Sequence, residues 1–139
     1  MSSSSRRADA FFYGLFMDPD LLRSKGLAPR DPELASVRGV ALRIGQRAAL
    51  VPDPKGRVHG VVMSLRLDEL QQLYAEPSVS EYRPQAVLVE LADGRVTAAL
   101  CYNLPTPPGP NERNSDYALK LRAAGEKVGL PADYLSALS

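Results

Sequence analysis

The sequence is poor in the residues that build disulfides and zinc centres. It contains one cysteine, Cys101, and one histidine, His59. A disulfide needs two cysteines, and a structural zinc ion usually takes four Cys or His ligands. An intrachain disulfide and a Cys/His zinc centre are therefore excluded, and only carboxylates could supply a metal site.

An excess of one charge and long apolar runs are also lacking. The 17 basic and 16 acidic residues leave a net charge of +1 at pH 7, so charge alone would not attract nucleic acid. The first apolar run, residues 11–13, is too short for a signal-peptide core or a membrane-spanning helix. We therefore expect a cytoplasmic protein that binds no nucleic acid and no membrane, with a disordered tail at residues 1–8.

The residues that are present suffice for one folded domain. The chain has 139 residues, of which 45% are hydrophobic and 24% charged. This length is close to that of one typical domain, and the apolar content argues against disorder. We expect a single domain over residues 9–139.

Short strands dominate the predicted secondary structure. Apolar segments predict six strands, at residues 8–13, 37–44, 47–51, 58–65, 82–91 and 96–102. Asp93-Gly94 is a hairpin signal between the last two, and turn-forming residues at 51–56 predict a break between the third and fourth. This succession predicts an α+β fold, with a small mixed, largely antiparallel, barrel-like sheet and flanking short helices.

Capping residues and apolar spacing locate the helices between these strands. The predicted helices are residues 18–26, 67–75, 115–129 and 131–138. Asp18 is the expected N-cap of the first and Ser115 that of the third, while Pro77 stops the second. Residues 103–114 contain four prolines and should cross the surface in an extended form, where they could wall one side of a pocket.

Two groups of residues could carry chemistry. A strand that ends at Tyr13-Gly14 and leads into a helix exposes backbone N–H groups that could hold an anion, although an ordinary turn has the same pattern. Glu76, with Glu81 and Tyr82 nearby in the sequence, could form an acidic site at the end of a helix. The alternative for Glu76 is a solvated glutamate at a helix end.

Further candidates have simpler explanations. Cys101 and His59 could act as nucleophile and base, but Cys101 lies in an apolar strand pattern typical of a buried thiol. Other side chains that could line a pocket or meet a substrate carboxylate are Tyr82, Tyr102, Arg83 and Arg113.

Five segments resemble, in order, those of the γ-glutamylcyclotransferase-like (AIG2-like) family. They are Phe11 to Met17, His59 to Val62, Leu67 to Glu76, Tyr82-Arg83, and Gly125 to Leu135. The first is similar to the family's Tyr-Gly-Ser/Thr opening, and the last to its Gly-Leu-Pro and Tyr-aliphatic ending. The resemblance covers nearly the whole chain.

This resemblance implies a small β-barrel with flanking helices and a γ-glutamyl substrate. In the family, the loop after the first strand binds the α-carboxylate of the γ-glutamyl group. In this chain the corresponding loop residues are Tyr13, Gly14, Leu15 and Phe16. In the family, a glutamate at the end of the helix that corresponds to residues 67–75 does the acid/base work; by position this is Glu76. The implied reaction releases 5-oxoproline from a γ-glutamyl amine, amino acid or peptide, needs no cofactor or metal, and is compatible with a monomer or homodimer.

The chain departs from the family pattern at two places. Leu15 and Phe16 follow Tyr-Gly where the family usually has a hydroxyl residue, and Pro77 replaces a glycine after the glutamate, in a segment one residue shorter. Glu81 therefore remains an alternative for the catalytic carboxylate. Two other functions also stay open, namely a relative that binds a small carboxylate-bearing ligand without turnover, and a protein-interaction module that uses the prolines of 105–110.

Overall fold

Five β-strands close into one barrel. The structure, a computed structural model, describes residues 6–138; its strands are β1 (Arg7–Phe12), β2 (Arg30–Ile44), β3 (Ala48–Arg66), β4 (Arg83–Leu91) and β5 (Val96–Asn103). Their order around the barrel is β1-β3-β2-β4-β5. Neighbouring strands are antiparallel apart from β1 and β5, whose parallel pairing closes the barrel. The α+β class and the mixed, barrel-like sheet are confirmed.

The predicted break at residues 51–56 is wrong, and five strands replace the six expected. Val40 of β2 pairs with Pro52, and Arg38 pairs with Arg57, so residues 53–56 bulge outward opposite Gly39 while the ladder continues on both sides. Turn-forming residues thus make a bulge within one long strand, because the partner strand continues past them.

The N-terminal boundary also differs from the expected one. Arg7, predicted to lie in a disordered tail, belongs to β1 and pairs with β3. Ala8, which the sequence placed both in that tail and in the first strand, also belongs to β1. The Arg7 guanidinium donates to the Ser64 hydroxyl at 2.9 Å and to the Ser64 carbonyl at 2.7 Å, which fixes the strand's first residue. Residues 1–5 of the predicted tail lie outside the described residues.

Short helices connect the strands and cover the barrel. They are a 3₁₀ turn (Leu15–Met17), α1 (Pro19–Ser24), α2 (Leu67–Leu73), α3 (Ser115–Val128) and α4 (Ala132–Ser136). Asp18 caps α1 as predicted, since its carboxylate accepts from the Asp20 N–H at 3.0 Å. Asn114 and not Ser115 caps α3, because its side chain accepts from the Tyr117 N–H at 3.1 Å. Within residues 6–138, none of these helices has the length and apolar character needed to cross a membrane.

Glu69 determines where α2 starts. The helical pattern of the sequence places this residue among polar side chains, yet it is buried, with 2% of its surface exposed. Its two carboxylate oxygens accept from the N–H of Arg66 at 2.9 Å and from that of Ala28 at 2.7 Å. Such charge-assisted hydrogen bonds compensate for the burial of the carboxylate. The hydrogen bond from Ala28 connects α2 to the segment that precedes β2, and this connection positions the residues that follow α2.

Candidate functional site

A cavity of about 370 Å³ lies where the end of β1, the β2–β3 turn, the segment after α2, and α3 meet. All three phenylalanines and five of the six tyrosines of the chain line it, and we therefore call it the aromatic cavity. Its size lies in the range of small-molecule sites, which are mostly apolar with a few convergent polar groups. The cavity is therefore suited to a ligand with a substantial apolar part.

The tyrosines form rigid walls. Tyr74 stacks on Tyr102 with ring centroids 3.9 Å apart and planes 8° apart, and Phe16 meets Tyr74 edge-on at 5.8 Å. The Tyr13 hydroxyl donates to the Tyr102 carbonyl at 2.9 Å. The Tyr82 hydroxyl donates to the carbonyl of Ala48, the first residue of β3.

Burial keeps these phenols protonated. It raises the pKa of Tyr13, Tyr74 and Tyr82, and is the largest influence on each. A phenol with a raised pKa remains a hydrogen-bond donor at neutral pH and is a poor proton acceptor. The tyrosine walls can orient a ligand, but a base must come from another residue.

The turn after β1 brings backbone N–H groups to the cavity. Gly14, Leu15 and Phe16 all line it. Among the described residues, no acceptor takes a hydrogen bond from the N–H of Gly14 or Phe16. A Cβ on Gly14 would lie 2.9 Å from the Tyr117 hydroxyl, so a side chain at this position would have to displace the end of the Tyr117 side chain. The two N–H groups of Gly14 and Phe16 are therefore available as donors, and the anion site suggested by the sequence stays a prediction.

Glu76 lies where the cavity opens to solvent. Its side chain is 39% exposed, and one carboxylate oxygen is 2.8 Å from the Nζ of Lys25. Lys25, which also lines the cavity, lies 5.8 Å from the ring centroid of Phe16. A carboxylate and an ammonium thus stand side by side at the cavity mouth, which we define by Lys25, Arg47, Glu76 and Ser78.

Glu81 has a different environment. Its side chain is 69% exposed and forms an ion pair of 3.0 Å with Arg47, and it does not line the cavity. Tyr13, Gly14, Leu15, Phe16 and Tyr82 do line it, together with Glu76. The structure therefore brings the predicted binding residues together with Glu76 and leaves Glu81 outside.

Cys101 and His59 do not form a reactive pair. Cys101 is fully buried, and burial raises the pKa of its thiol to about 12. His59 packs against Tyr134 of α4, with ring centroids 4.9 Å apart, and lines a different cavity. Neither residue reaches the aromatic cavity, nor do Arg83 and Arg113.

Among residues 6–138, no three His, Cys, Asp or Glu side chains converge where they could hold a metal ion.

The proline-rich segment supports the site from outside. Residues 103–114 do not line the cavity, so the expectation that they wall it is wrong. Arg43 donates to the Pro108 carbonyl at 3.3 Å, and a Cβ on Gly45 would lie 2.6 Å from the Cβ of Pro108. The segment therefore packs against the β2–β3 turn. Its role as an interaction module stays a prediction.

Four important lining residues escaped the sequence analysis as site candidates: Lys25, Arg47, Tyr74 and Tyr117. Tyr74 immediately follows α2, two residues before Glu76, which is a local signal that could have been used. The other three lie far from Glu76 in the sequence, in segments whose local patterns predict only a helix end, a turn and a helix face. Their convergence depends on the closure of the barrel.

Comparison with known proteins identifies the family. The family model described as gamma-glutamyl cyclotransferase, AIG2-like, matches residues 10–120. A search of curated proteins finds no match.

Solved structures share the fold. An uncharacterized protein from Homo sapiens is 21% identical, with a TM-score of 0.75, over 96% of this chain and 88% of that one. A protein named gamma-glutamyl cyclotransferase is 20% identical, with a TM-score of 0.76, over 96% and 89% of the two chains. YkqA from Bacillus subtilis is 23% identical, with a TM-score of 0.77, over 96% of this chain and 53% of YkqA. Since the family model spans most of the sequence, the chain belongs to the gamma-glutamyl cyclotransferase, AIG2-like family.

Proposed function

We propose that this chain cyclises the γ-glutamyl group of a γ-glutamyl amine, amino acid or peptide, releasing 5-oxoproline and the free amine. The observation that carries the proposal is the position of Glu76, which is the only carboxylate among the described residues that line the aromatic cavity. Membership of the family supports the general class of reaction.

One carboxylate suffices for the chemistry. The α-ammonium of the substrate gives a proton to Glu76, and the resulting amine attacks the substrate's own γ-carbonyl carbon. Glu76 gives this proton to the leaving nitrogen as the bond from that carbon to the leaving nitrogen breaks. Glu76 then moves a second proton from the ring nitrogen to the released amine, which departs as an ammonium ion and leaves the lactam nitrogen with one hydrogen. The reaction consumes no water, and no covalent bond to the enzyme forms, because the nucleophile belongs to the substrate.

The rest of the site holds the substrate in a reactive geometry. Positioning of the amine near the carbonyl supplies much of the rate enhancement in such an intramolecular attack. The N–H groups of Gly14 and Phe16 and the ammonium of Lys25 would receive the α-carboxylate. Lys25 would thereby replace the hydroxyl that the family usually has at the position of Leu15.

The pair formed by Lys25 and Glu76 matches the head group of an amino acid. An α-ammonium and an α-carboxylate on the substrate could each replace one member of this pair, since a half-exposed ion pair contributes only about 0–1 kcal/mol. After the exchange, the α-nitrogen that must lose a proton would lie against the carboxylate that accepts it.

The proposal is tested by product formation. Purified protein is incubated with γ-glutamyl amines, amino acids and peptides, and 5-oxoproline is measured by mass spectrometry. We expect Glu76→Gln to lower turnover at least about 100-fold, because general acid–base catalysis contributes about 10² to 10⁴. Glu81→Gln is the matched control and should retain turnover; circular dichroism verifies that both variants fold. If Glu76→Gln turns over normally, Glu76 has no catalytic role.

A second function is favoured by the ion pair between Glu76 and Lys25 and by the apolar turn after β1. The Glu76 carboxylate is paired with Lys25, and Leu15 and Phe16 fill the turn with apolar side chains. A relative that binds a γ-glutamyl compound without turnover would have the same features. Thermal stabilisation by these compounds without release of 5-oxoproline would establish this binding function.

A further inference from the structure

Arg47 is a cation of the cavity that the proposed reaction leaves unused. It lies in the β2–β3 turn and lines the cavity, with 29% of its side chain exposed. Its partner is Glu81, at 3.0 Å, whose side chain is 69% exposed. An ion pair with so exposed a carboxylate is weak, so a carboxylate that enters the cavity can replace Glu81.

The turn that carries Arg47 is held on both sides. The Gly45 N–H donates to the Arg47 carbonyl at 3.1 Å, and Gly45 packs so tightly that a Cβ there would lie 2.8 Å from a carboxylate oxygen of Glu112. On the other side, the Tyr82 hydroxyl donates to the Ala48 carbonyl. The guanidinium therefore extends from a fixed backbone.

The charge of Arg47 acts on the cavity wall. Burial and the neighbouring Tyr117 raise the pKa of Tyr82, and the guanidinium of Arg47 opposes them. The positive charge thus lies within electrostatic range of a side chain that faces the ligand space.

The cavity holds two cations for two different carboxylates. Lys25, beside Glu76 and the 14–16 turn, suits the α-carboxylate of the γ-glutamyl group. A second carboxylate is present when the leaving group is an amino acid or a peptide, and it lies next to the leaving nitrogen only in an amino acid. A leaving amine without a carboxylate would give Arg47 nothing to bind, and Arg47 would keep Glu81.

We infer that Arg47 binds the carboxylate of the leaving amino acid and makes the chain selective for γ-glutamyl amino acids over γ-glutamyl amines. This inference rests on the proposed function. The guanidinium can form two parallel hydrogen bonds to a carboxylate, which an ammonium cannot. The aromatic walls favour an apolar side chain next to that carboxylate.

Two substrates that differ by one carboxylate test the inference. γ-Glutamyl-phenylalanine and γ-glutamyl-phenethylamine share all other groups. We expect the kcat/KM of the wild type to be about tenfold or more higher for the phenylalanine compound, as hydrogen bonds to charged groups are typically worth this much. Arg47→Gln should bring the ratio close to 1, chiefly through the KM of the phenylalanine compound, and Arg47→Lys should restore part of it.

The matched control is Arg83→Gln, which removes the same charge from an exposed arginine next to Tyr82 that does not line the cavity. It should keep the wild-type ratio. A ratio near 1 in the wild type would overturn the inference, as would an unchanged ratio in Arg47→Gln or an equal change in both arginine variants.

Binding of the same two compounds separates this inference from the proposed reaction. The shift in melting temperature is measured for wild type and Arg47→Gln with each compound. Greater stabilisation by the phenylalanine compound, lost in Arg47→Gln, supports the role of Arg47 even if no 5-oxoproline forms. Equal stabilisation by the two compounds, or none by either, would overturn it.

Discussion

The ammonium of Lys25 lies 2.8 Å from a carboxylate oxygen of Glu76, although the two residues are 51 positions apart in the sequence. Lys25 follows α1, and Glu76 follows α2. Both side chains line the aromatic cavity and are partly exposed. The contact joins the residue proposed as the acid/base to a cation that can receive the substrate's α-carboxylate.

Removal of this cation should weaken substrate binding. For Lys25→Gln we expect the KM for γ-glutamyl substrates to rise about tenfold or more, because a charge-assisted hydrogen bond to the α-carboxylate is lost. The free energy of unfolding should change by less than about 1 kcal/mol, since the ion pair is partly exposed. Steady-state kinetics and urea denaturation provide the two measurements.

Lys127→Gln is a control for the loss of a lysine charge. Lys127 pairs with Asp18 at 2.9 Å and with Asp20 at 3.0 Å, and none of the three lines the aromatic cavity. This variant should keep the wild-type KM. Equal KM values in Lys25→Gln and the wild type would show that Lys25 binds no part of the substrate.

The close approach of Gly14 and Tyr117 predicts a coupled pair of variants. Gly14→Ala should lower the free energy of unfolding by about 1–3 kcal/mol, because the new methyl group would lie 2.9 Å from the Tyr117 hydroxyl. The φ of Gly14 is −107°, which an alanine adopts freely, so the cost should come from this contact alone.

A double-mutant cycle measures that coupling. Urea denaturation of the wild type, Gly14→Ala, Tyr117→Phe and the double variant gives the four free energies. Since phenylalanine lacks the hydroxyl, Gly14→Ala should cost much less in the Tyr117→Phe background. Additive effects would mean that the hydroxyl does not limit the residue at position 14.

His59 should make the stability depend on pH. Burial, and then the nearby charge of Arg57, lower the pKa of His59 below its usual value of 6.5. Between the unfolded and the folded pKa, the unfolded chain binds more protons than the folded one. The contribution of neutral His59 to the free energy of unfolding is therefore complete above about pH 6.5, and it is lost as the pH falls towards the folded-state pKa.

Urea midpoints measured between pH 7.5 and about 5 test this prediction. The urea midpoint should decrease less with falling pH in His59→Asn than in the wild type. Loss of the contact with Tyr134 lowers the midpoint of the variant by the same amount at every pH, so it does not affect this comparison. Titration of carboxylates is common to both proteins and cancels in the comparison. Parallel curves for the two proteins would contradict a lowered pKa of His59.

Most of the barrel was predictable from the sequence because its signals are local. The Asp93-Gly94 turn joins β4 to β5 as predicted, and Asp18 caps α1 through its own side chain. The prediction failed at residues 51–56, where the turn-forming residues became a bulge. Such residues can either reverse the chain or form a bulge within a strand. Which of the two occurs depends on the partner strand, which the neighbouring residues of the sequence do not reveal.

The aromatic cavity was only partly predictable. The segment from Tyr13 to Phe16, together with Glu76 and Tyr82, followed from the family resemblance and lines the cavity. Between Glu76 and Glu81 the sequence left a choice, because both follow α2 within a few residues. Barrel closure leaves Glu76 at the cavity, whereas Glu81 is exposed outside it and pairs with Arg47.

The sequence by itself determined the family, the order of most strands and helices, and the turn after β1, since the signals for each lie in short segments of neighbouring residues. Only the tertiary structure placed Lys25 against Glu76, Tyr117 against Gly14, and Arg47 at the cavity mouth. These contacts join residues far apart in the chain, and they exist because β1 pairs with β3 and β5 to close the barrel. The physical reason is that an amphipathic pattern specifies which face of an element is buried, but not which distant residue it meets.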